Sequence, residues 1–283
     1  MKYDLHTHTS FSDGEKTVAG NVERAIELGL DGIAICDHDN IESWDVIDKE
    51  SFTIPVIKGV ELSTYTNGTS VHVLGYYKND GGDYSELDKY LKDMKERRKQ
   101  RILKMIELLK QFDIDITYES VAKFANGSIG RPHIAKAIME KYPERNYTID
   151  QIFNLYINDG KPAYVRTYNL DTKDAIKLLH DNHCLVVLAH PLLIDPAVCN
   201  YKELLDEDFD GVEVFYAYLT ENNRYQLVYQ EAEKKGLIMT GGSDYHGPKV
   251  KDTMGRAYLT GERVEEFLRS INFKRGKALE KKN

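Results

Sequence analysis

Residues 32–39 are Gly-Ile-Ala-Ile-Cys-Asp-His-Asp, a short apolar run that ends in carboxylates and a histidine. A continuous apolar run of this length is typical of a buried parallel strand. Other runs end in the same way: residues 54–60 lead to Glu61, and residues 184–189 lead to His190. In β/α barrels the active site forms at the carboxyl ends of the strands. The pattern therefore predicts an α/β barrel whose chemistry lies at one edge.

A second feature is the pair of histidines in residues 4–13, Asp-Leu-His-Thr-His-Thr-Ser-Phe-Ser-Asp. Side chains alternate between the faces of a strand, so His6 and His8 point the same way if residues 3–8 form one. Asp13 follows in a turn-forming segment that can bring its carboxylate toward the two imidazoles. Imidazoles beside a carboxylate suit a divalent transition metal. The alternative is that both histidines are ordinary surface residues.

The positions of the other histidines favour the metal site. Of the nine histidines, those at or beside predicted carboxyl ends of strands are His6, His8, His38, His72, His190 and His246. The carboxylates at the same edge are Asp13, Asp37, Glu61 and Asp244. Buried carboxylates would repel one another unless cations neutralised them. Because these are more ligands than one ion can use, we predict two or three divalent ions with at least one bridging carboxylate.

The composition limits the class of protein. With 283 residues, the chain is long enough for one large α/β domain or for one domain with an insert. Its net charge of −8 argues against a general binder of long nucleic acid, but not against a small phosphate ester held by metal ions. We expect no signal peptide, no membrane span and no stable protein partner. The three cysteines show no C-x-x-C spacing, which favours a reducing, cytoplasmic location.

Residues 84–163 interrupt the alternation of strands and helices. Residues 85–112 have an apolar stripe at helical spacing and predict one long helix. The middle of this helix is basic, with the cations Lys92, Lys95, Arg97, Arg98, Lys99, Arg101 and Lys104. Two interpretations stay open: a solvated face paired with Asp93, Glu96 and Glu107, or a positive rim that attracts phosphorylated substrates. We predict that the whole segment is a helical cap inserted into the barrel.

Several of these residues form motifs that resemble those of the PHP (polymerase and histidinol phosphatase) family. The matching motifs occur in the family's order: His6-x-His8 with Asp13, Asp37-His38-Asp39, Glu61, His72-x-Leu74-Gly75-Tyr76, His190-Pro191 and Gly242-Ser243-Asp244-x-His246. The resemblance implies a distorted (β/α)7 barrel, similar to a TIM barrel, that binds two or three metal ions for phosphoester hydrolysis. It places the barrel in residues 1–83 and 164–283 and the helical cap in residues 84–163.

The insert narrows the resemblance further. Its Gly130-Arg131-Pro132-His133 segment resembles the branch that includes bacterial 3′,5′-nucleotide bisphosphate phosphatases and a related 5′-to-3′ exoribonuclease. Arg131 is our candidate for binding the substrate phosphate, because a planar guanidinium matches a phosphate bidentately; the alternative is an ordinary surface ion pair. His133 could contact the phosphate or protonate a leaving oxygen, or it could simply start a helix.

The ligand assignment also follows from the resemblance. One ion would be held by His6, His8, Glu61 and Asp244. Glu61 would bridge to a second ion held by His72 and His190. A third ion, or a weaker site, would be held by Asp13, His38 and His246. We expect Mn²⁺, with Fe²⁺ or Zn²⁺ as alternatives, because Asp13 is a harder ligand than the histidine found there in many relatives. Asp37 would orient a histidine from outside the ligand set, or have no direct role.

The same family implies hydrolysis by a hydroxide that forms between two ions and attacks the phosphorus directly. We expect a small phosphorylated nucleotide as substrate, through the 3′-phosphate of a 3′,5′-bisphosphonucleotide, and also short 5′-phosphorylated RNA. Tyr216, Tyr218 and Tyr245 lie near predicted strand ends and could stack on a base. The alternatives are a cyclic-phosphate or sugar phosphodiesterase and, in another class, a non-catalytic PHP binding module stabilised by metal.

Overall fold

The computed structural model of the protein describes residues 1–125, 129–166, 170–217 and 224–274. The chain divides into two compact units. The first comprises Met1–Lys89 with Asn169–Asn283, and the second comprises Tyr90–Tyr168. The assignment of residues 84–163 as a separate cap domain stays a prediction.

The first unit is built on one sheet. Within the described residues its strands are β1 (Lys2–Thr7), β2 (Gly32–His38), β3 (Val56–Thr66), β4 (Thr69–Tyr77), β5 (Leu170–Asp171), β6 (Cys184–Leu188), β7 (Gly211–Tyr216), β8 (Ile238–Gly242) and β9 (Leu259–Thr260). Neighbouring strands follow the order β8-β7-β6-β4-β3-β2-β1-β9, and β5 pairs with β3. The sheet nearly closes, since the segment after β8 returns to β1. There the N–H of Asp244 donates to the His6 carbonyl at 2.8 Å, and the N–H of His8 donates to the Tyr245 carbonyl at 2.8 Å. The predicted α/β barrel is confirmed.

Helices alternate with these strands and also form the insert. Within the described residues they are α1 (Val18–Glu27), α2 (Glu42–Lys49), α3 (Ser85–Leu109), α4 (Tyr118–Ala122), α5 (Arg131–Lys141), α6 (Ile149–Ile152), α7 (Thr172–Asp181), α8 (Tyr201–Leu204), α9 (Tyr225–Lys235) and α10 (Glu262–Ser270). The predicted long helix is observed as α3, followed by a 3-10 turn at Lys110–Phe112. Across the described part of the chain, no helix combines the length and the apolar character needed to span a membrane.

Alternate residues of β2 enter two buried clusters. Ala34 and Cys36 belong to a cluster of barrel residues that also includes residues of α10. Ile33 and Ile35 pack instead with a cluster that contains residues of α1. Burial of each of these two isoleucine side chains contributes about 1.5–3 kcal/mol. Because side chains alternate along a strand, His38 shares the face of Cys36 and emerges at the barrel edge.

One strand runs against the simple barrel pattern. β4 is antiparallel to both of its neighbours, β3 and β6. His72 therefore lies near the start of its strand, opposite Ser63, and the prediction that it follows a carboxyl end is wrong. The alternating pattern of β4 is the same in either direction, so the sequence does not reveal this. Since β4 folds back from the far end of β3, His72 still reaches the edge where Glu61 lies.

The second unit has its own apolar core. Side chains of α3, α4, α5 and α6 are buried in it, among them Ile106, Leu109, Ile134, Ile138 and Ile152. The helices begin with local caps: the Thr117 hydroxyl accepts from Ser120 N–H at the start of α4, and Thr148 does the same for Gln151 at α6. These segments are helical, as predicted.

Candidate metal centre

The predicted ligands meet at one edge of the barrel, around the fully buried Glu61. Beside this carboxylate or next to its neighbours lie His6, His8, Asp13, His38, His72, His190, Asp244 and His246. A close approach of β8 to β1 makes this possible. A Cβ at Gly242 would lie 2.3 Å from the Cβ of His6, so only glycine fits there.

One oxygen of Glu61 faces three imidazoles. Glu61 Oε2 lies 3.2 Å from His6 Nε2, 3.3 Å from His8 Nε2 and 3.2 Å from His38 Nδ1. Asp244 Oδ1 lies 3.1 Å from the same nitrogen of His8. One ligand atom from each of His6, His8, Glu61 and Asp244 lies within 4.8 Å of the others, a spacing that one metal ion could occupy.

The other oxygen of Glu61 faces a second pair. Glu61 Oε1 lies 2.9 Å from His72 Nδ1 and 3.0 Å from His190 Nε2. The carboxylate thus presents its two oxygens to different groups of histidines. This is the arrangement required of a carboxylate that bridges two ions.

A third group surrounds Asp13. Asp13 Oδ1 lies 3.3 Å from His246 Nε2 and 3.7 Å from His8 Nδ1, and its Oδ2 lies 3.8 Å from His38 Nε2. The side chain of Asp13 is 48% exposed, whereas that of His8 is fully buried. The third group is therefore the one that opens to solvent.

The donor atoms fit divalent metal ions. Five of them are buried and have no hydrogen-bond partner among the described residues: His6 Nε2, His8 Nδ1, His8 Nε2, His38 Nδ1 and Glu61 Oε2. A buried polar atom without a partner costs roughly 1–3 kcal/mol, so this arrangement calls for a bound ligand. Imidazole nitrogens with carboxylate oxygens are a donor set that transition metals accept.

The histidines of the cluster differ in protonation when no ion is bound. Burial opposes a charge on His8, but Asp244 and Glu61 raise its pKa to about 9. Burial lowers the pKa of His38 to about 4 despite the charge of Glu61. Burial would raise the pKa of Glu61, yet the surrounding histidines hold it well below its usual range. The Glu61 carboxylate is therefore ionised at neutral pH, as a metal ligand must be.

Asp37 supports the centre in a different way from the one predicted. Its buried carboxylate accepts hydrogen bonds from the Thr9 N–H at 2.7 Å, from the Thr9 hydroxyl and from the Ser12 hydroxyl at 2.8 Å. Within the described residues Asp37 contacts no histidine ring, so the prediction that it orients a histidine directly is corrected. Asp37 instead fixes the loop between His8 and Asp13.

Three further residues contact the ligands, in roles that the sequence patterns did not predict. Glu213, on β7, is fully buried, and its Oε1 lies 3.0 Å from His6 Nδ1. The Tyr216 hydroxyl donates to Asp244 Oδ2 at 2.8 Å, and the ammonium of Lys251 contacts the same oxygen. A glutamate in the apolar run Val212–Val214 was the available signal, because a buried acid within a strand needs a partner.

Two of the tyrosines suggested for base stacking are unsuitable. Tyr216 and Tyr245 are both fully buried, the first against Asp244 and the second in the apolar cluster beside α1. Tyr218 lies outside the described residues. The prediction for Tyr216 and Tyr245 is wrong, because proximity to a strand end does not imply an exposed ring.

Arg131 and His133 lie in the second unit, at the start of α5. The guanidinium of Arg131 lies 5.5 Å from the ring centre of Phe153 and 5.7 Å from that of Tyr164. No carboxylate of the described residues pairs with it, which disfavours the ordinary ion pair. His133 Nδ1 accepts from the Gly130 N–H at 2.9 Å, so its ring caps the helix.

The second unit also contains a basic cavity. Its volume is about 280 Å³, and its lining includes Arg97, Arg98, Arg101, Lys104 and Arg166. Burial lowers the pKa of Arg101, and the charge of Arg131 lowers it further. Cations in such proximity favour an anionic ligand.

A nearly closed α/β barrel with histidines and carboxylates at one edge is an architecture that metal-dependent hydrolases use. The PHP domain family matches residues 4–183, more than half of the sequence. The chain belongs to the PHP domain family.

The names of similar proteins agree with this family. The chain is 30% identical over 254 residues to the 5′-3′ exoribonuclease of Haemophilus influenzae, covering 87% of this chain and 90% of that protein. It is 27% identical over 271 residues to the phosphoribosyl 1,2-cyclic phosphate 1,2-diphosphodiesterase of Eggerthella lenta, covering 93% and 99%. It is 26% identical over 258 residues to the 3′,5′-nucleoside bisphosphate phosphatase of Chromobacterium violaceum, covering 87% of each.

A solved structure gives the same result. A candidate metal-dependent phosphoesterase from Bifidobacterium adolescentis superposes with a TM-score of 0.73 at 28% identity, covering 95% of this chain and 96% of the other. The protein is a metal-dependent phosphoesterase, as the motifs predicted. The alternative of a non-catalytic binding module is therefore rejected.

Proposed function

We propose that the protein hydrolyses phosphate esters of small nucleotides. Its first substrate class is the 3′,5′-bisphosphonucleotides, from which it removes the 3′-phosphate, and its second is short 5′-phosphorylated RNA. The relatives named as a bisphosphate phosphatase and as an exoribonuclease support a nucleotide substrate. The observation on which the proposal depends is the convergence of five histidines on the two oxygens of Glu61.

The ligand groups support two or three ions. The first would bind to His6, His8, Glu61 and Asp244, the second to Glu61, His72 and His190, and the third to Asp13, His38 and His246. Mn²⁺ is the proposed ion, with Fe²⁺ or Zn²⁺ as alternatives, because the oxygen ligands of the centre suit harder cations. When bound, divalent ions supply an acidified water and cancel charge on the phosphoryl oxygens. The protein's part is to fix the ligands around Glu61 before substrate arrives.

The insert contributes anion binding in this proposal. Arg131 would bind a substrate phosphate, and the nearby cation Arg101 would favour a second one. The Nε–H of Arg101 donates to the Val165 carbonyl at 2.7 Å, which anchors its guanidinium at the cavity. Arg131 is held against aromatic rings rather than against an acid, so its planar fork keeps donors for a phosphate. A substrate with more than one phosphate would use several of these cations.

A cyclic-phosphate phosphodiesterase is the second candidate. The relative from Eggerthella lenta supports it, because that protein is named for action on a 1,2-cyclic phosphate. The same metal centre could serve either reaction, since both place water against a phosphorus atom. The two candidate functions therefore differ only in which phosphate ester the protein hydrolyses. A cytoplasmic location, inferred from the cysteines, belongs to the proposal as well.

The test is product release by the metal-analysed protein with added Mn²⁺. The substrates are adenosine 3′,5′-bisphosphate, a short 5′-phosphorylated RNA and a ribose 1,2-cyclic phosphate. The proposal expects phosphate from the bisphosphate, and mononucleotides released stepwise from the RNA. Glu61→Gln is the control, since it removes the bridging charge and should abolish both metal binding and turnover. Hydrolysis of the cyclic phosphate alone would overturn the first candidate in favour of the second.

A further inference from the structure

Glu213 lies outside the predicted ligand set, yet it contacts two members of it. Its side chain is fully buried on β7. Glu213 Oε1 lies 3.0 Å from His6 Nδ1, and Glu213 Oε2 accepts the backbone N–H of His190 at 2.8 Å. Each oxygen of one carboxylate is therefore committed to a different ligand-bearing segment.

The first contact fixes the orientation of His6. A carboxylate accepts hydrogen bonds, so a hydrogen of the His6 ring resides on Nδ1, and in the neutral ring that binds a metal ion Nε2 would carry the lone pair. That Nε2 is the atom that lies 3.2 Å from Glu61 Oε2. A hydrogen bond to the far ring nitrogen sets both the tautomer and the angle of a metal-binding histidine.

The second contact holds His190 in an unusual backbone conformation. His190 has φ 25° and ψ 59°, in the left-handed region that residues other than glycine rarely adopt. Such a conformation costs of order 1–3 kcal/mol and persists only when its surroundings stabilise it. The Glu213 carboxylate supplies a charged acceptor for this N–H. As a result the His190 ring reaches the other oxygen of Glu61, at 3.0 Å.

We propose that Glu213 is a positioning residue that couples the two ion sites on either side of Glu61. It aligns His6 for the first ion and His190 for the second through a single rigid carboxylate. The inference depends on the proposed metal centre. It predicts that a change at Glu213 weakens both ions together, although Glu213 itself binds neither.

Two substitutions distinguish a positioning role of Glu213 from a role of its negative charge alone. Glu213→Gln keeps the size of the side chain but offers one acceptor and one donor, so either His6 or His190 loses its partner. Glu213→Asp keeps the charge but is shorter by one methylene and cannot span both contacts. A role in charge balance alone would leave Glu213→Asp with the metal binding of the unchanged protein.

The protein offers a matched control. Asp210 Oδ2 lies 3.0 Å from the ring Nε2 of His180 and accepts the backbone N–H of Val186 at 2.7 Å. This pair has the same chemistry, a carboxylate shared by an imidazole and a backbone N–H, without a predicted metal ligand. Asp210→Asn therefore reports the general cost of disturbing such a contact.

The experiment is calorimetric titration of the ion-free proteins with Mn²⁺, together with the visible spectrum of the Co²⁺ forms and thermal unfolding of the ion-free forms. We expect Glu213→Gln and Glu213→Asp each to weaken both binding events by about 10–100-fold and to change the Co²⁺ spectrum. Asp210→Asn should bind Mn²⁺ like the unchanged protein. Unchanged affinity and spectrum in Glu213→Asp would overturn the proposal. Absence of Mn²⁺ binding by the unchanged protein would instead overturn the metal centre itself.

Discussion

Tyr216 donates its hydroxyl hydrogen to Asp244 Oδ2 at 2.8 Å, and the other oxygen of Asp244 faces His8 Nε2 at 3.1 Å. The hydroxyl of Tyr216 also accepts from the Lys251 ammonium at 2.8 Å. The two oxygens of Asp244 thus have different partners. Oδ2 is held by a tyrosine and a lysine, and Oδ1 faces the ligand cluster. A carboxylate fixed in this way does not need to reorganise when an ion binds.

Loss of the Tyr216 hydroxyl should weaken metal binding without abolishing it. Tyr216→Phe removes one of the groups that hold Asp244, while Lys251 still contacts Oδ2. We expect Mn²⁺ affinity and kcat/KM to fall by about tenfold. The control is Tyr76→Phe, which removes another buried hydroxyl, one that donates to the Leu5 carbonyl at 2.8 Å and contacts no predicted ligand. Equal effects of the two substitutions would contradict the role of Tyr216.

Arg131→Ala should reduce activity while leaving the metal in place. The guanidinium lies in the second unit, and no predicted ligand belongs to that unit. We expect kcat/KM on phosphomonoesters to fall by about 10–150-fold, because a charge-assisted contact of about 1.5–3 kcal/mol is lost. Arg131→Lys should recover only part of the loss, since an ammonium lacks the planar fork.

Arg145→Ala is the matched control for that prediction. Arg145 belongs to the same unit, lies 4.6 Å from the ring centre of Tyr142 and donates to the Asp113 carbonyl at 2.9 Å. We expect a similar change in charge and packing with little change in kcat/KM. Loss of bound metal in Arg131→Ala would contradict the assignment of Arg131 to the substrate phosphate.

His133 should prove to be a cap rather than a proton donor. Its Nδ1 accepts from the Gly130 N–H, and His133→Ala leaves that donor unpaired, at a cost of about 1 kcal/mol. Glutamine at the same helical position can reach back in the same way, so His133→Gln should restore both thermal stability and turnover. If His133→Gln unfolds like the unchanged protein but turns over much more slowly, the ring takes part in catalysis instead.

Metal binding should strengthen as the pH rises from 7 to 9. In the ion-free protein His8 has its pKa raised to about 9, so it is protonated at pH 7. The pKa values of His6 and His72 are raised as well, because nearby carboxylates outweigh the opposing effect of burial. An ion must displace these protons, and Mn²⁺ affinity should therefore increase by at least about tenfold per pH unit until the pKa of His8 is passed. His38, with a pKa near 4, is already neutral and adds no dependence in this range. Titrations in two buffers of different ionisation enthalpy measure the released protons, and an affinity that is constant between pH 7 and 9 would refute the assignment.

The ligand cluster could be predicted from sequence because strand ends in a barrel share one edge. His38 and Glu61 illustrate this: each follows an apolar run, and the runs are adjacent parallel strands in register at these two residues. The direction of β4 could not be predicted, because His72 alternates with its neighbours whichever way the strand runs. Glu213 was missed for a different reason. Its partners are 207 and 23 residues away, so only the folded chain shows what neutralises the charge.

The place where the barrel closes has a consequence for the order of synthesis. His6 lies on β1 and His8 directly follows it, and Asp244 belongs to the segment that pairs with them through backbone hydrogen bonds. An ion bound by these residues would join β1 to a segment that is synthesised much later. A growing polypeptide therefore cannot assemble the first ion site until residue 244 has left the ribosome. Incomplete chains would lack hydrolytic activity, and only a finished barrel would acquire it.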